Sequence, residues 1–185
     1  MHFDHVGALP AYTRARFHLQ EADLAYATSP SMKYDFLRFA YDLVHVGQML
    51  EHVYSGRGKF HDGDEELAPG ISLHRIDGHA IGLQVVRVNT ARGPVVLASD
   101  AAAYIEQFAD YRVSPAVVDA EAMLHGYDRL RELAASEDHI ITGHDPITSL
   151  IYPKVPGIET NVYRVDAPPT QSIREAMAAW KSRKI

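Results

Sequence analysis

Four short segments, far apart in the chain, each place histidine or aspartate after an apolar run or inside a glycine-flanked turn. They are the segments at residues 2–5, 77–82, 99–100 and 143–145. Side chains that follow the strands of an α/β sheet lie at one edge of that sheet, where binding sites collect. The pattern therefore favours a fold in which several strand ends meet, and it predicts that these residues share one site.

The apolar patterns between these segments predict alternating strands and helices. Short β-branched runs bounded by turn residues are typical of strands, whereas apolar positions at helical spacing are typical of amphipathic helices. The predicted strands are residues 15–20, 71–76, 83–89, 95–98, 139–142 and 161–165. The predicted helices are residues 21–27, 31–54 (one helix or a helix pair, starting at Ser31), 117–135 (opened by Ser114 and Pro115) and 172–184. A chain of 185 residues can bury one sizeable core, so we expect one α/β domain.

The available residue types limit the chemistry of a metal site. The chain has no cysteine and 11 histidines, so any metal site must use imidazole and carboxylate, which suit zinc or a similar first-row metal. The run at residues 2–5 is weak evidence by itself, because such runs also occur on solvated surfaces. The three later motifs make a shared site the favoured interpretation. The candidate ligands are His2, Asp4, His5, His79, Asp100 and His144.

The order of these motifs resembles the metallo-β-lactamase superfamily, whose signature is His-x-His-x-Asp-His, then a distant His, a bridging Asp and a last His. Phe-Asp-His-Val-Gly at 3–7, Gly-His-x-x-Gly at 78–82, Ser-Asp-Ala at 99–101 and Gly-His-Asp-Pro at 143–146 are similar to the N-acyl-homoserine lactonase branch in particular. The resemblance covers residues 1 to about 165. It implies the αβ/βα sandwich of that family, with residues 31–54 as a helical cap-like insertion over the site.

The resemblance also implies a ligand role for each candidate. Two zinc ions are expected as cofactors. By this resemblance, the first zinc binds His2 and His79, the second binds Asp4, His5 and His144, and Asp100 bridges both.

A mechanism follows from these implied ligands. Two metal ions hold a bridging hydroxide, which would attack the carbonyl of a lactone, N-acyl-homoserine lactone above all. Asp4 or Asp100 would pass a proton to the leaving alkoxide. Relatives commonly place a tyrosine against the substrate carbonyl at the position of Ala103. Tyr104, the next residue, is therefore the candidate for stabilising the developing oxyanion.

The N-terminal end departs from the family pattern. The motif of the family begins with a histidine two positions before the residue that matches His2, and Met1 occupies the position between them. Several N-terminal strands of the sandwich also have no counterpart. We therefore expect the chain to be the C-terminal portion of such a domain, with a first zinc site that lacks one ligand.

Composition and charge exclude several classes of partner. The formal net charge of −6 argues against nucleic acid and anionic membranes, which attract basic surfaces. No apolar run is long enough to span a bilayer, and the N-terminus shows neither a basic start nor an apolar run. We expect a cytoplasmic protein whose partner is a small lactone or ester, and a homodimer is left open.

Two alternative functions stay open. One is a glyoxalase II-like hydrolase of thioesters or esters, which is less favoured because Asp145 and Pro146 follow His144 as in the lactonases. The other is a metal-poor chain that catalyses little, motivated by the missing first histidine. The histidines outside the motifs are expected to be ordinary polar residues: His18, His45, His52, His61, His74, His125 and His139.

Overall fold

The structure is a computed structural model that describes residues 1–182, which form two β-sheets and the helices around them. The strands are β1 (Phe17–Gln20), β2 (Gly58–His61), β3 (Glu65–Ala68), β4 (Ile71–Arg75), β5 (Gln84–Thr90), β6 (Gly93–Ser99) and β7 (Ile140–Thr142). The helices are α1 (Phe3–Val6), α2 (Glu21–Ala27), α3 (Asp35–Arg38), α4 (Leu43–Tyr54), α5 (Ile105–Asp110), α6 (Ala120–Leu133), α7 (Pro146–Ile151) and α8 (Ile173–Ser182). No helix within residues 1–182 combines the length and the apolar character needed to cross a membrane.

The larger sheet carries the main core. Its five strands lie in the order β3-β4-β5-β6-β7, antiparallel except for the parallel pair β6 and β7. The apolar run of β6 is buried at Val95, Val96 and Ala98, and helix α6 packs against this strand. Tyr127 and Leu130 of α6 are fully buried in the same core. This core fixes the strand ends from which Asp100 and His144 emerge.

The first 61 residues form a smaller unit with its own buried clusters. Strands β1 and β2 pair in parallel as a separate two-stranded sheet. One cluster contains Val6, Leu9, Leu19 and Met49, and a second contains Ala27, Tyr41 and Val46. The segment that carries His2, Asp4 and His5 is therefore held by small clusters of its own.

The predicted α/β class is confirmed, and most predicted elements exist. Five of the six predicted strands and the predicted helices at 21–27 and 172–184 lie where expected, within one or two residues at their ends. Residues 183 and 184, the predicted end of the last helix, lie outside the described residues. Helices α1, α5 and α7 were missed because four to six residues make fewer than two helical turns. Strands β2 and β3 were missed because neither contains a β-branched residue.

The expected helix or helix pair over residues 31–54 is wrong in its bounds. A 3-10 turn (Pro30–Lys33), helix α3 and helix α4 occupy this segment. Ser31 is not the cap: Ser29 accepts from the N–H of Ser31, and Asp42 accepts from the N–H of Val44 at 2.7 Å to begin α4. Between α3 and α4 the chain turns inward and buries Tyr41, which is 8% exposed. This core contact separates the two helices.

Two other predicted elements need correction. The long helix begins at Ala120 rather than at residue 117, because Asp119 caps it by accepting from the N–H of Ala122 at 3.0 Å. The predicted strand at 161–165 is a single bridge between Lys154 and Tyr163. Pro153 and Pro156 flank Lys154, and a proline cannot donate to a ladder, so the pairing does not extend.

Candidate metal centre

The N-terminal segment presents its candidate ligands from one short helix. His2 precedes α1, while Asp4 and His5 lie within it. The N–H of Phe3 donates to the carbonyl of Ala40 at 2.8 Å, which fixes this turn against the segment before α4. The segment is therefore a single helical turn preceded by His2, which is buried, whereas Asp4 and His5 are exposed.

His79 is positioned by a glycine and a backbone carbonyl. Gly78 has φ +133°, and a Cβ there would lie 2.5 Å from Cα of Met123 in α6, so only glycine allows this approach. The Nδ1 of His79 lies 2.8 Å from the carbonyl oxygen of Ala116. The Nδ1–H donates to that oxygen, so the lone pair is on Nε2. Nε2 lies 3.0 Å from Nδ1 of His2.

Asp100 and His144 emerge from adjacent parallel strands of the larger sheet. Asp100 follows β6 after Ser99, a non-glycine residue with φ +48°. His144 follows β7, and its N–H donates to the carbonyl of Ala103 at 2.9 Å. A Cβ at Gly143 would lie 2.8 Å from the carbonyl of Ser99. The close approach of the two strand ends brings both side chains to one point.

The structure brings all six candidate ligands together in two overlapping groups. The ligand atoms within each group lie within 4.8 Å of one another. One group is His2, His79 and Asp100, and the other is Asp4, His5, Asp100 and His144. Asp100 is the only residue that the two groups share, and it is 5% exposed.

Distances from Asp100 show how closely the rings surround it. Its Oδ2 lies 2.7 Å from Nε2 of His5 and 3.4 Å from Nε2 of His79. Its Oδ1 lies 2.8 Å from Nε2 of His144. The Oδ2 of Asp4, which is more exposed, lies 3.6 Å from Nε2 of both His5 and His144. Five side chains thus surround a volume suited to a small cation.

The surroundings set the charge of these groups. Burial opposes ionisation of Asp100, but the hydrogen bond from His5 and the proximity of His79 outweigh it and hold the pKa of Asp100 well below its usual range. The hydrogen bond to Asp100 raises the pKa of His5. Burial, with the nearby terminal ammonium group and His79, lowers the pKa of His2 to about 4. An ionised carboxylate and a neutral imidazole are the forms that bind metal.

One atom is left without the partner that its burial requires. Oδ1 of Asp100 is buried and makes no hydrogen bond to the residues that the structure describes, although Nε2 of His144 is 2.8 Å away. Buried polar atoms are normally paired. Imidazole nitrogen and carboxylate oxygen are also the donors that zinc prefers in the absence of thiols. The residues present therefore fit a divalent first-row metal at this position.

Two depressions adjoin the cluster. A cavity of about 230 Å³ is lined by the candidate ligands His2, His5, His79 and Asp100 and by residues of β1 and β5, among them His18, Leu19, Gln20 and Gln84. A narrow groove lies beside His2 and His79, and its other lining residues are Phe36, Leu37, Phe39, Ala116, Val117 and Val118. A cavity and a narrow groove thus reach the same cluster.

Tyr104, the candidate oxyanion stabiliser, lies outside both groups. It precedes α5, its side chain is 49% exposed, and it is not part of the cavity lining. Its N–H donates to Oε1 of Gln107 at 3.1 Å. A contact between Tyr104 and a substrate carbonyl stays a prediction.

Sequence reasoning missed two kinds of residue. The carbonyl of Ala116 orients His79 from 37 residues away, and backbone groups leave no signal in a sequence. His18 and His61, which were expected to be ordinary, form a contact next to the cavity. Each is isolated in the sequence, so no local motif marked the pair.

Comparisons with known proteins agree with this geometry. Residues 1–147 match the model of the metallo-beta-lactamase superfamily. The chain is 31% identical over 147 residues to the N-acyl homoserine lactonase AiiA of Bacillus thuringiensis subsp. kurstaki, covering 78% of this chain and 53% of that protein. It is 26% identical over 161 residues to the N-acyl homoserine lactonase AttM of Rhizobium johnstonii, covering 84% of this chain and 59% of that protein.

Solved structures of N-acyl homoserine lactone hydrolases are also similar to this chain. One is a quorum-quenching N-acyl homoserine lactone hydrolase, with a TM-score of 0.59, 30% identity, and coverage of 78% of this chain and 55% of that one. Another is an N-acyl homoserine lactone hydrolase with the product N-hexanoyl-L-homoserine bound at its catalytic metal centre, with a TM-score of 0.59, 30% identity, and coverage of 78% and 53%. The chain spans about half the length of the curated relatives that it matches.

Proposed function

Because the chain belongs to the metallo-β-lactamase superfamily, we propose that it provides the two-zinc centre of a hydrolase that opens lactone rings, N-acyl-homoserine lactones in particular. The observation that carries the proposal is Asp100, a buried carboxylate shared by two groups of histidine ligands. A shared carboxylate between two metal ions is the arrangement that two-metal hydrolases use. The similarity to N-acyl homoserine lactonases supports the choice of substrate.

The proposed ligand assignment keeps each residue in the group to which it belongs. His2 and His79 would hold one zinc ion, Asp4, His5 and His144 would hold the other, and Asp100 belongs to both groups. Bound zinc supplies Lewis acidity, which polarises a carbonyl and acidifies water. The carbonyl of Ala116 keeps the proton of His79 on Nδ1, so that Nε2 is free for a metal.

The two aspartates take different roles in the proposed reaction. Asp100 is 5% exposed and held ionised by its neighbours, so it stays a ligand. The side chain of Asp4 is 38% exposed and its Oδ2 faces both His5 and His144. Asp4 is therefore the carboxylate that can receive a proton and pass it to the leaving alkoxide.

The apolar groove is evidence in favour of a lactone that carries an acyl substituent. Phe36 and Phe39, which belong to the predicted cap-like insertion, line this groove together with His2 and His79. An apolar chain placed there would lie next to the ligand group. This supports medium or long acyl chains, since each buried methylene contributes roughly 0.8 kcal/mol.

Hydrolysis of a lactone series by the purified chain tests the proposal. Zinc is added, and proton release in weak buffer is followed with N-acyl-homoserine lactones of increasing acyl length. We expect ring opening that is lost in the Asp100→Asn variant. Rapid cleavage of a thioester without lactone hydrolysis would favour the glyoxalase II-like alternative, and the absence of both activities with substoichiometric zinc would favour the metal-poor one.

The oligomeric state and the cellular location of the protein stay predictions. A homodimer is tested by the mass that light scattering measures for the chain in solution. The cytoplasmic location is tested by fractionation of cells that produce the protein.

A further inference from the structure

Two histidines and a glutamate form a hydrogen-bonded chain that ends at the cavity. His18 of β1 and His61 of β2 lie on neighbouring parallel strands. Nδ1 of His18 is 2.8 Å from Nε2 of His61, and the rings are nearly parallel, with an interplanar angle of 15°. Nδ1 of His61 is 2.5 Å from Oε2 of Glu65. His61 is 5% exposed, whereas His18 is exposed at the cavity.

The carboxylate at one end decides where each proton lies. An ionised Glu65 can only accept, so Nδ1 of His61 carries the proton. In a neutral imidazole only one ring nitrogen carries a proton, so with the proton on Nδ1 the Nε2 of His61 has a lone pair. Nδ1 of His18 must then donate to that lone pair, which leaves Nε2 of His18 unprotonated. This series of hydrogen bonds therefore ends in an acceptor atom, Nε2 of His18.

The backbone holds this acceptor in a fixed place. Nε2 of Gln84 in β5 donates to the carbonyl of His18 at 2.9 Å. Nε2 of Gln20 donates to Oε1 of Gln84 at 3.1 Å, and Gln20 is 1% exposed. His18 therefore lies on a strand that is tied to the larger sheet, and it lines the same cavity as the candidate metal ligands.

We propose that Nε2 of His18 accepts a hydrogen bond from the amide N–H of an N-acyl substrate in this cavity, and so selects amide over ester substituents on the lactone. The inference rests on the proposed function. With one end of the ligand at the cluster of Asp100, the N–H is the donor that the N-acyl substituent offers to an acceptor in the lining of the same cavity. An ester oxygen at that position would place two lone pairs against each other. Partial burial and the adjacent His61 lower the pKa of His18, which favours its neutral form.

Nitrogen-15 NMR of the histidine side chains tests the proton positions directly. The zinc-loaded chain is measured at pH 8, with His18→Phe and His61→Phe used for assignment. We expect a protonated Nδ1 and an unprotonated Nε2 on His18, and the loss of this fixed tautomer in Glu65→Gln. A proton on Nε2 of His18 in the unaltered chain would overturn the proposal, because the group would then be a donor.

Two ligands that differ only at the donor test the selectivity without any turnover. N-hexanoyl-L-homoserine carries the amide N–H, and 2-hexanoyloxy-4-hydroxybutanoate has an ester oxygen in its place. We expect the amide to shift the Nε2 resonance of His18 towards the protonated range and the ester to leave it in place. We also expect the amide to bind about threefold more tightly by calorimetry, as one exposed hydrogen bond allows.

The variants separate this inference from the proposed function. His18→Phe should equalise the two affinities, whereas His125→Phe, a change at a histidine whose side chain is 77% exposed on α6, should keep the preference. If His18→Phe does not fold, Glu65→Gln provides the comparison, with a reduced preference expected. Equal shifts with both ligands, or none with either, would overturn the inference. Because neither ligand contains a lactone, a failure of lactone hydrolysis leaves these readouts intact.

Discussion

At the scale of single residues, Asp100 is the residue that both ligand groups of the site share. It is buried, ionised and contacted by His5, His79 and His144, yet its Oδ1 has no hydrogen bond among the described residues. Burying an ionised carboxylate costs free energy unless a charge or a hydrogen bond compensates it. A metal ion between Asp100 and its neighbours would supply that compensation.

Replacement of Asp100 by asparagine should therefore affect both metal positions. We expect Asp100→Asn to lose most of the zinc from both groups, because the residue belongs to each. Asp4→Asn is the matched control, since Asp4 belongs to one group, and it should lose about one zinc ion per chain. Elemental analysis of the purified variants measures this. Two zinc ions retained in Asp100→Asn would contradict a bridging role and would favour proton transfer by Asp100 instead.

A second residue-scale prediction concerns stability. Glu137 receives two hydrogen bonds from Arg174, at 2.7 and 2.9 Å, and one from Arg131 at 3.2 Å. The hydrogen bonds from Arg174 are the main cause that lowers the pKa of Glu137. Because the pKa of Glu137 is lower in the folded state, its ionised side chain stabilises the fold at pH values above the unfolded-state pKa of about 4.3. This stabilisation is lost as the pH falls through the folded-state pKa.

Glu137→Gln should thus lower the free energy of unfolding by about 1 kcal/mol at pH 7. The difference from the unaltered chain should shrink as the pH falls below 4. The control Glu132→Gln removes a pair with Arg129 in which the glutamate side chain is 64% exposed, and it should change little. Urea unfolding between pH 3 and 7 measures both. A difference that does not vary with pH would mean that packing, not charge, causes the loss.

At the scale of elements, the turn before His79 depends on helix α6. Gly78 lies against the backbone of Met123, and its carbonyl accepts from the N–H groups of Val118 and Asp119 just before this helix. A side chain at Gly78 would push the turn away from α6. The position of His79 is therefore set by packing between two elements rather than by the motif itself.

Gly78→Ala should destabilise the fold and weaken the metal site together. The positive φ costs roughly 1–2 kcal/mol for a non-glycine residue, and the overlap with Met123 adds about 1–3 kcal/mol. Gly56→Ala is the matched control, because Gly56 has φ +75° but nothing within 4 Å of a Cβ. Urea unfolding and zinc content measure the result. Equal losses in the two variants would show that the contact with α6 does not matter.

The segment at residues 31–54 is the element for which the interpretation changed most. Leu43 is 86% exposed and lies outside the groove lining, whereas Phe36 and Phe39 line the groove beside His2 and His79 although each is more than 60% exposed. A cap-like role for this segment stays a prediction. Its surface-exposed aromatic side chains are available to an acyl chain.

Phe39→Ala should weaken the dependence of hydrolysis on acyl length. Each added methylene gains roughly 0.8 kcal/mol when fully buried, and removing the ring leaves part of the chain in water. Leu43→Ala, outside the groove lining, should keep the original dependence. The slope of kcat/KM against acyl length measures this, with zinc content expected to be unchanged. An unaltered slope in Phe39→Ala would reject the groove as the acyl site.

At the scale of the whole molecule, the candidate ligands join two parts that have separate buried clusters. His2, Asp4 and His5 belong to the first 61 residues, and His79, Asp100 and His144 emerge from the larger sheet. A metal bound only by the folded state stabilises it by mass action. Here it would also tie the small N-terminal unit to the main core.

Removal of metal by a chelator should therefore lower the melting temperature and loosen the N-terminal unit first. With zinc at about 100 times its dissociation constant the stabilisation is about 2.7 kcal/mol, which corresponds to roughly 5–10 °C in a chain of this size. Circular dichroism measures the shift, and hydrogen exchange should show a larger loss of protection in residues 1–61 than in β5 and β6. Asp100→Asn should respond little to the chelator. Uniform loss of protection would contradict the two-part description.

The sequence by itself determined the α/β class, four of the five strands of the larger sheet and the identity of the candidate ligands. These features depend on local patterns: the β-branched runs of β4 and β5 between turn residues, the apolar run of β6, and a histidine or aspartate close after a strand. Such signals span a few residues and need no knowledge of distant contacts.

Only the tertiary structure decided how these residues meet. That Asp100 is shared by two groups, that Ala116 orients His79, and that His18 contacts His61 all depend on approaches between residues 37 to 98 positions apart. The same holds for Phe39, which is 62% exposed because the chain turns inward after it, at Tyr41. Burial and protonation are properties of the packed surroundings, and a local sequence pattern contains no information on which distant residues provide them.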